Sequence, residues 1–187
     1  MGVESGLGAV LAAFGLSGAA GLNPWLPLLV SAVAARLDLV ELAAPFGSLD
    51  STLGIVVLAL LAAADFVGDK IPVVDHVLHL LGLVVAPASG AVLFAGQAGT
   101  ETDVSALAAI VLGGGTAGIV HALRTAARPV STAGTAGVGN PVLSLGEDAA
   151  SLLLVVAAFV VPLLAVVLLL LLVVPAVRWW RRRRTRR

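Results

Sequence analysis

Five groups of polar residues stand in an otherwise apolar chain, and their types and spacing set the chemistry open to them. Asp65 and Asp69 are four residues apart, so on a helix they share one face about 6 Å apart. Ionising both in a low-dielectric setting is expensive, so one keeps its proton near neutral pH unless Lys70, another base or a cation compensates. With Lys70 they form a candidate proton or cation site, because charged groups inside a membrane mark pathways and relays. The structural alternative buries only Asp65, against a distant base, and leaves Asp69 and Lys70 at an interface. Beyond Ile71-Pro72, Asp75, His76 and His79 open the next segment. A histidine beside a carboxylate can relay a proton or ligate a metal. Three possible ligands at this spacing are a weak metal signal, however, and no particular metal is implied. A helix-start cap by Asp75, favoured by the helix dipole, with a hydrogen-bonded His79 explains them more simply.

The third group is Glu147 and Asp148, just before the last apolar stretch, where they suit either a helix-start cap or a site. Being adjacent, they point about 100° apart on a helix and cannot form one tight clamp. His121, Arg124 and Arg128 are spaced three, then four apart and line one stripe. They serve as interfacial anchors, or Arg124 neutralises Asp65 or Glu147 inside a bundle. The fifth group comprises Asn23-Pro24 and Asn140-Pro141, which break helices. Free N–H and C=O groups at such breaks need partners in a dry environment, and Asn23, Asn140, an ion or a substrate can supply them.

The elements that must position these groups follow from composition. Apolar residues make up 59% of the 187 positions and charged residues 12%, against roughly 45–50% and 25% in soluble domains. Mean hydropathy is +1.09. With no cysteine, disulfides, thiol-ligated metals and cysteine redox chemistry are excluded. A formal charge of zero hides an asymmetry: seven of the eleven basic residues, Arg178, Arg181 to Arg184, Arg186 and Arg187, close the sequence. That segment, with Trp179 and Trp180, is a positive-inside signal with an interfacial aromatic pair, and it would attract anionic lipid. Nucleic-acid binding is disfavoured, because the basic residues are confined to a short tail. The segment Met-Gly-Val-Glu-Ser lacks the basic region of a signal peptide, so the first apolar stretch is expected to stay in the mature protein.

A crossing helix needs about 20 apolar residues. Ser5 to Ala35 is uncharged and would be about 46 Å long as one helix, so two short helices are expected to meet at Asn23-Pro24. A second crossing runs from Ser51 through Asp65 to the stop at Pro72, which puts Asp65 inside the membrane. Helices from about Val73 to Phe94 and Val104 to Leu123 follow, the latter carrying the small residues Gly113 to Gly115 and Gly118 for close packing in lipid. Segment 125–148 is too polar to face lipid alone and is read as a re-entrant or broken pass. The last stretch, Ala149 to Val177, is read as one helix that tilts or kinks at Pro162. Ala20-Gly21 before Asn23-Pro24 and Ala136-Gly137 before Asn140-Pro141 suggest an internal repeat, the pattern of transporters whose site lies at paired helix breaks.

The strings Gly-Leu-Asn-Pro-Trp-Leu-Pro-Leu-Leu (21–29) and Asp-Phe-Val-Gly-Asp-Lys-Ile-Pro-Val-Val-Asp-His-Val (65–77) resemble the bacterial membrane family catalogued as domain of unknown function 4126. His121-Ala-Leu-Arg124 with Arg128, and Gly139-Asn-Pro-Val-Leu-Ser-Leu-Gly-Glu-Asp148, continue the likeness over nearly the whole chain apart from the arginine tail. Members of that family usually carry Glu where this chain has Asp65, which shortens the reach of one carboxylate. The resemblance implies no activity. Residues 65–70 also bear a loose likeness to the signature of Golgi-type manganese and calcium/proton exchangers. There the acid is one residue nearer the glycine, and Ser or Thr stands where this chain has Ile71. That likeness implies ion handling at most.

The expected fold is all-α: a polytopic transmembrane bundle of about six spans, give or take one, over residues 1–178, with a basic cytoplasmic tail over 179–187. The expected function is a small secondary transporter or ion exchanger, proton-coupled, of the cell membrane, needing no cofactor. A non-transporting scaffold that recruits lipid or a partner is the rival, and self-association suits either. A membrane-embedded enzyme would need His76 or His79 to converge with acids on a lipid-facing cleft; no Gly-x-Ser-x-Gly, P-loop or His-Glu-x-x-His motif is present. Solvent access separates the first two readings: a transporter needs a polar cavity that reaches Asp65, whereas a scaffold pairs every charge internally.

Overall fold

Helices are what an apolar chain forms in lipid, since only they satisfy every backbone group within one segment. The computed structural model describes residues 2–43, 46–135 and 139–184. Helix α1 (Gly2–Leu22) stops at Asn23-Pro24, and α2 (Trp25–Arg36) starts at once. The Asn23 Oδ1 accepts the N–H groups of Trp25 and Leu26, both at 3.0 Å, and so caps the new helix. After α2, Asp38 takes the left-handed conformation (φ 56°) that closes the turn. A short 3-10 turn (Phe46–Asp50) leads to α3 (Thr52–Gly68), whose first turn is capped by Ser51 Oγ accepting from Gly54 N–H at 3.0 Å. Pro72 opens α4 (Pro72–Ala98) from within the first turn, where its missing N–H costs nothing.

Next, α5 (Ala106–Ala109), a π turn (Ile110–Gly114) and α6 (Gly115–Thr135) form one rod of 30 residues. It continues well past the expected end near Leu123, so the first part of segment 125–148 is ordinary helix and not a re-entrant loop. The chain then splits the last apolar stretch in two. Helix α7 (Asn140–Val160) begins nine residues earlier than expected, with Pro141 in its first turn, and ends where Val161 leaves helical geometry (φ −143°, ψ 82°) ahead of Pro162. Proline excludes its predecessor from the helical region, which turns the expected kink into a break. Helix α8 (Pro162–Arg184) carries the basic residues on as its own last turns.

Five of these rods are long and apolar enough to cross a membrane, namely α1, α4, α5 to α6, α7 and α8. The two shorter ones, α2 and α3, have 12 and 17 residues, about 18 and 25 Å, less than a hydrocarbon core of about 30 Å. The all-α membrane bundle and its helix break at Asn23-Pro24 are as the sequence led us to expect. Asn140-Pro141 opens α7, the helix that follows α6. Its companion Ala136-Gly137, needed to judge the repeat, lies outside the described residues, as do Arg186 and Arg187.

Helix α1 is the centre: 67% of its span is buried, against 11% for α8, and it packs on α4, α6, α7 and α8. Small residues allow these approaches. Gly15 faces Ala158 and Ala165, Gly18 faces Leu169, and Gly21 faces Val120 and the Ala117 carbonyl. Gly90 on α4 meets Gly113 backbone to backbone beside the π turn. The register of these contacts makes consecutive rods antiparallel, so the C-terminal ends of α1, α3, α6 and α8 and the N-terminal ends of α4 and α7 share one end of the bundle. Lys70 and the arginines of α8 lie at that end. Asp38, Glu41, Asp50, Glu101 and Asp103 lie at the other, with Arg36.

A methyl group on Gly90 would sit 2.5 Å from Ala117 Cβ and 2.6 Å from the Gly113 carbonyl oxygen, whereas one on Gly115 meets nothing within 4 Å. Gly90→Ala is therefore expected to cost about 1–3 kcal/mol by overpacking, while Gly115→Ala is neutral or stabilising by up to about 1 kcal/mol. Thermal unfolding of the two variants in detergent checks the contrast.

Candidate functional site

Polar side chains gather near the Lys70 end, one to three turns inside the helices. Glu147 is seven residues into α7, and Arg128 lies seven before the end of α6, each about 10 Å deep along its helix. The α1–α2 junction and helices α3, α4, α6 and α7 contribute to the layer. Helix α7 supplies Ser144, Glu147, Asp148 and Ser151, whose spacing of three, four and seven places them on one inward face. Ser151 Oγ donates to the Ala19 carbonyl at 3.0 Å, tying that face to α1.

Two arginines organise one half of the layer. Arg124 donates through Nε to Glu147 Oε2 at 2.7 Å and through Nη2 to Asp69 Oδ2 at 3.0 Å. Arg128 donates through Nη1 to Asp75 Oδ1 at 2.8 Å and through Nη2 to Glu147 Oε2 at 2.8 Å and Ser144 Oγ at 2.9 Å. Ser144 Oγ in turn donates to Asp69 Oδ2. These contacts bind the C-terminal end of α3, the start of α4, and α6 and α7 into one unit, with each arginine only 7% exposed. His79 Nδ1 lies 3.1 Å from the Asp75 carbonyl and 3.4 Å from its Oδ1. His121 Nε2 lies 3.2 Å from the His79 carbonyl, and its ring fills the space that the absent side chain of Gly82 leaves.

In the other half no base pairs with an acid among the described residues. Asn23 is 1% exposed, and its Nδ2 donates to Asp65 Oδ2 at 3.1 Å and to Asp148 Oδ1 at 2.9 Å. Two carboxylates thus meet on a single amide. Among the described residues neither makes an ion pair, and Asp148 Oδ2 has no hydrogen-bond partner. Because the Asn23 Oδ1 is already committed to α2, the α1–α2 break and the acid pair are held by one side chain.

The sequence-predicted residues divide accordingly. Asp65, Asp69, Asp75, His79, His121, Arg124, Arg128, Glu147, Asp148 and Asn23 converge. Asp65 and Asp69 leave the same turn of α3 but take different partners, Asn23 and Arg124. Glu147 and Asp148 likewise diverge, as their adjacency requires, one towards the arginines and the other towards Asn23. Both acids lie inside α7 instead of ahead of it, since neighbours from other helices engage them there. Lys70 stays outside the layer: it is exposed, donates to the Phe66 carbonyl and covers the Phe66 ring. Asn140 also stays apart, its Nδ2 donating to Thr132 Oγ1 at 3.0 Å, so the two Asn-Pro breaks do not frame one chamber. The His76 side chain lies outside the described residues. Ser144 and Ser151 were missed, although their helical spacing with Glu147 and Asp148 was present in the sequence.

An apolar bundle that wraps a charged layer in this way is a multi-helix membrane protein. The chain belongs to the family described as Domain of unknown function (DUF4126), whose model matches residues 10–182. No curated protein and no solved structure gives a match to the chain.

Arg124→Ala leaves Asp69 and Glu147 buried with a lost partner and is expected to destabilise the fold by about 3–5 kcal/mol. Lys70→Ala removes only surface contacts and should change stability by no more than about 0.5 kcal/mol. Thermal or denaturant unfolding in detergent distinguishes the two.

Proposed function

We propose that the chain is a small secondary transporter or ion exchanger that couples its cargo to protons through Asp65 and Asp148. The observation that carries this reading is the shared amide of Asn23, on which two buried carboxylates meet with no ion-pair partner among the described residues. Such a pair does not hold two negative charges in a low-dielectric interior. It takes a proton or a cation, and exchange between the two is the elementary step of proton coupling. The wider layer reinforces the point: five carboxylates, Asp65, Asp69, Asp75, Glu147 and Asp148, surround two guanidiniums. Placement at a broken helix fits transporters that bind at unwound segments.

In this reading Asn23 is the sensor that links acid occupancy to the angle between α1 and α2. At the opposite end, a crevice of about 340 Å³ lined by Glu41, Gln97 and Glu101 descends to Ala12 and Ala158. Ala12 is about 16 Å along α1 from Asn23, so the acid pair is occluded from that side. The concentration of exposed basic residues at the Lys70 end favours a cytoplasmic placement of that end and of the C-terminus, in a cell membrane. The basic turns of α8 with Trp179 and Trp180 would rest against anionic headgroups. Residues 1–178 then form the embedded body and 179–187 its surface extension.

A scaffold reading draws support from one specific observation, the satisfied arginine network that ties α3, α4, α6 and α7 together. Proteoliposomes separate the two. Wild-type chain is expected to move protons when one of a panel of cations and small organic ions is supplied as a gradient. Asp65→Asn and Asp148→Asn should each reduce that flux at least tenfold while the protein remains folded. Well-folded wild type that is silent across the panel, with Asp65→Asn mainly lowering the melting temperature, would favour the scaffold.

A further inference from the structure

We infer that Asp69, Asp75 and His79 form a binding site for a first-row divalent metal ion of the zinc type. Each residue offers one donor atom, and the three donor atoms lie within 4.8 Å of one another. They come from the end of α3 and the first two turns of α4, joined by the short Lys70-Ile71-Pro72 turn, so one rigid corner carries all three. Donors around a tetrahedral zinc ion with bonds of about 2.0–2.2 Å stand about 3.4 Å apart. Closing the set therefore takes shifts of about 1.4 Å or less, within reach of side-chain rotation.

Unfilled valences in the same place point to a ligand. Asp69 is 3% exposed; its Oδ2 is taken by Arg124 and Ser144, but its Oδ1 has no partner among the described residues. His79 is 9% exposed, and its Nε2 is likewise without a partner. Buried polar atoms are rarely left so. The corner is also where an added positive charge is tolerated, because carboxylates outnumber guanidiniums in the surrounding layer. Arg128 now occupies Asp75 Oδ1. An arriving ion would displace it there, and Arg128 would keep Glu147 and Ser144 through Nη2. An imidazole nitrogen with two carboxylates suits zinc and its neighbours, whereas calcium and magnesium favour all-oxygen shells.

Binding rests on this donor set alone. That the ion is the transported species rests on the exchanger reading above.

The full-length chain, purified in detergent and dialysed against Zn²⁺ with the metal content measured, tests the site. The expected result is saturable uptake of one ion per chain that excess Mg²⁺ or Ca²⁺ does not displace. Asp75→Asn and His79→Gln should each weaken it about tenfold or more. Absence of saturable Zn²⁺ uptake by wild type, or uptake that both variants retain in full, overturns the site. If a substitution unfolds the chain, the wild-type melting temperature decides: a rise with Zn²⁺ concentration supports the site, and an unchanged value overturns it. Zn²⁺ uptake by a chain that moves no protons in vesicles keeps the site and removes the exchanger reading. Proton flux driven by other ions without Zn²⁺ uptake does the reverse.

Discussion

Charge that cannot be left unbalanced between apolar helices is the constraint on which this molecule turns. Arg124 and Arg128 are committed to Asp69, Asp75 and Glu147 in contacts of 2.7–3.0 Å, and so cannot also neutralise Asp65 and Asp148 by direct pairing. The arginine half of the layer behaves as a structural clamp. Removing one partner from such a buried network is costly because the remaining charge has no solvent to return to. The Asn23 half is different in kind, because an amide can orient two carboxylates but cannot cancel their charge. The first half is thereby balanced largely by its own ion pairs, and its neighbour has no such balance within reach.

Helix geometry makes that division possible. Pro24 ends the backbone ladder of α1 and frees Asn23 to cap α2 with its oxygen while its nitrogen reaches α3 and α7. The glycines of α1 and α4 bring these backbones close enough for side chains as short as aspartate to meet across the bundle. Asp65 thereby accepts from the Asn23 amide at 3.1 Å. Loosely packed α8 lies outside this framework, with its apolar surface left to lipid.

Much of this was legible in the sequence because it depends on local chemistry. Apolar run lengths gave the bundle, Pro24 gave the first break, and the spacing of His121, Arg124 and Arg128 placed them on one stripe, though not its inward direction. The possibility that Arg124 neutralises Glu147 could be raised from residue types alone. What could not be read was the choice among partners. Asp69 and Lys70 are adjacent in sequence, yet a lysine at a helix end turns outward over Phe66 while Arg124 arrives from α6 to take the aspartate. The equal appearance of Asn23-Pro24 and Asn140-Pro141 concealed unequal roles, since only the first sits where two other helices present acids. The break at Val161 was underestimated because a proline inside a membrane helix can equally well produce a kink.

The central claim is that the layer carries more carboxylates than its cations can balance and so retains protons that a bound cation can replace. Infrared spectroscopy of the metal-free protein at neutral pH measures this directly, through the C=O stretch of protonated carboxylic acids. The account predicts a buried protonated-acid band in wild type that is diminished in Asp65→Asn and reduced when a cation binds. A folded, metal-free protein with no such band at neutral pH, all five acids being ionised, would contradict it.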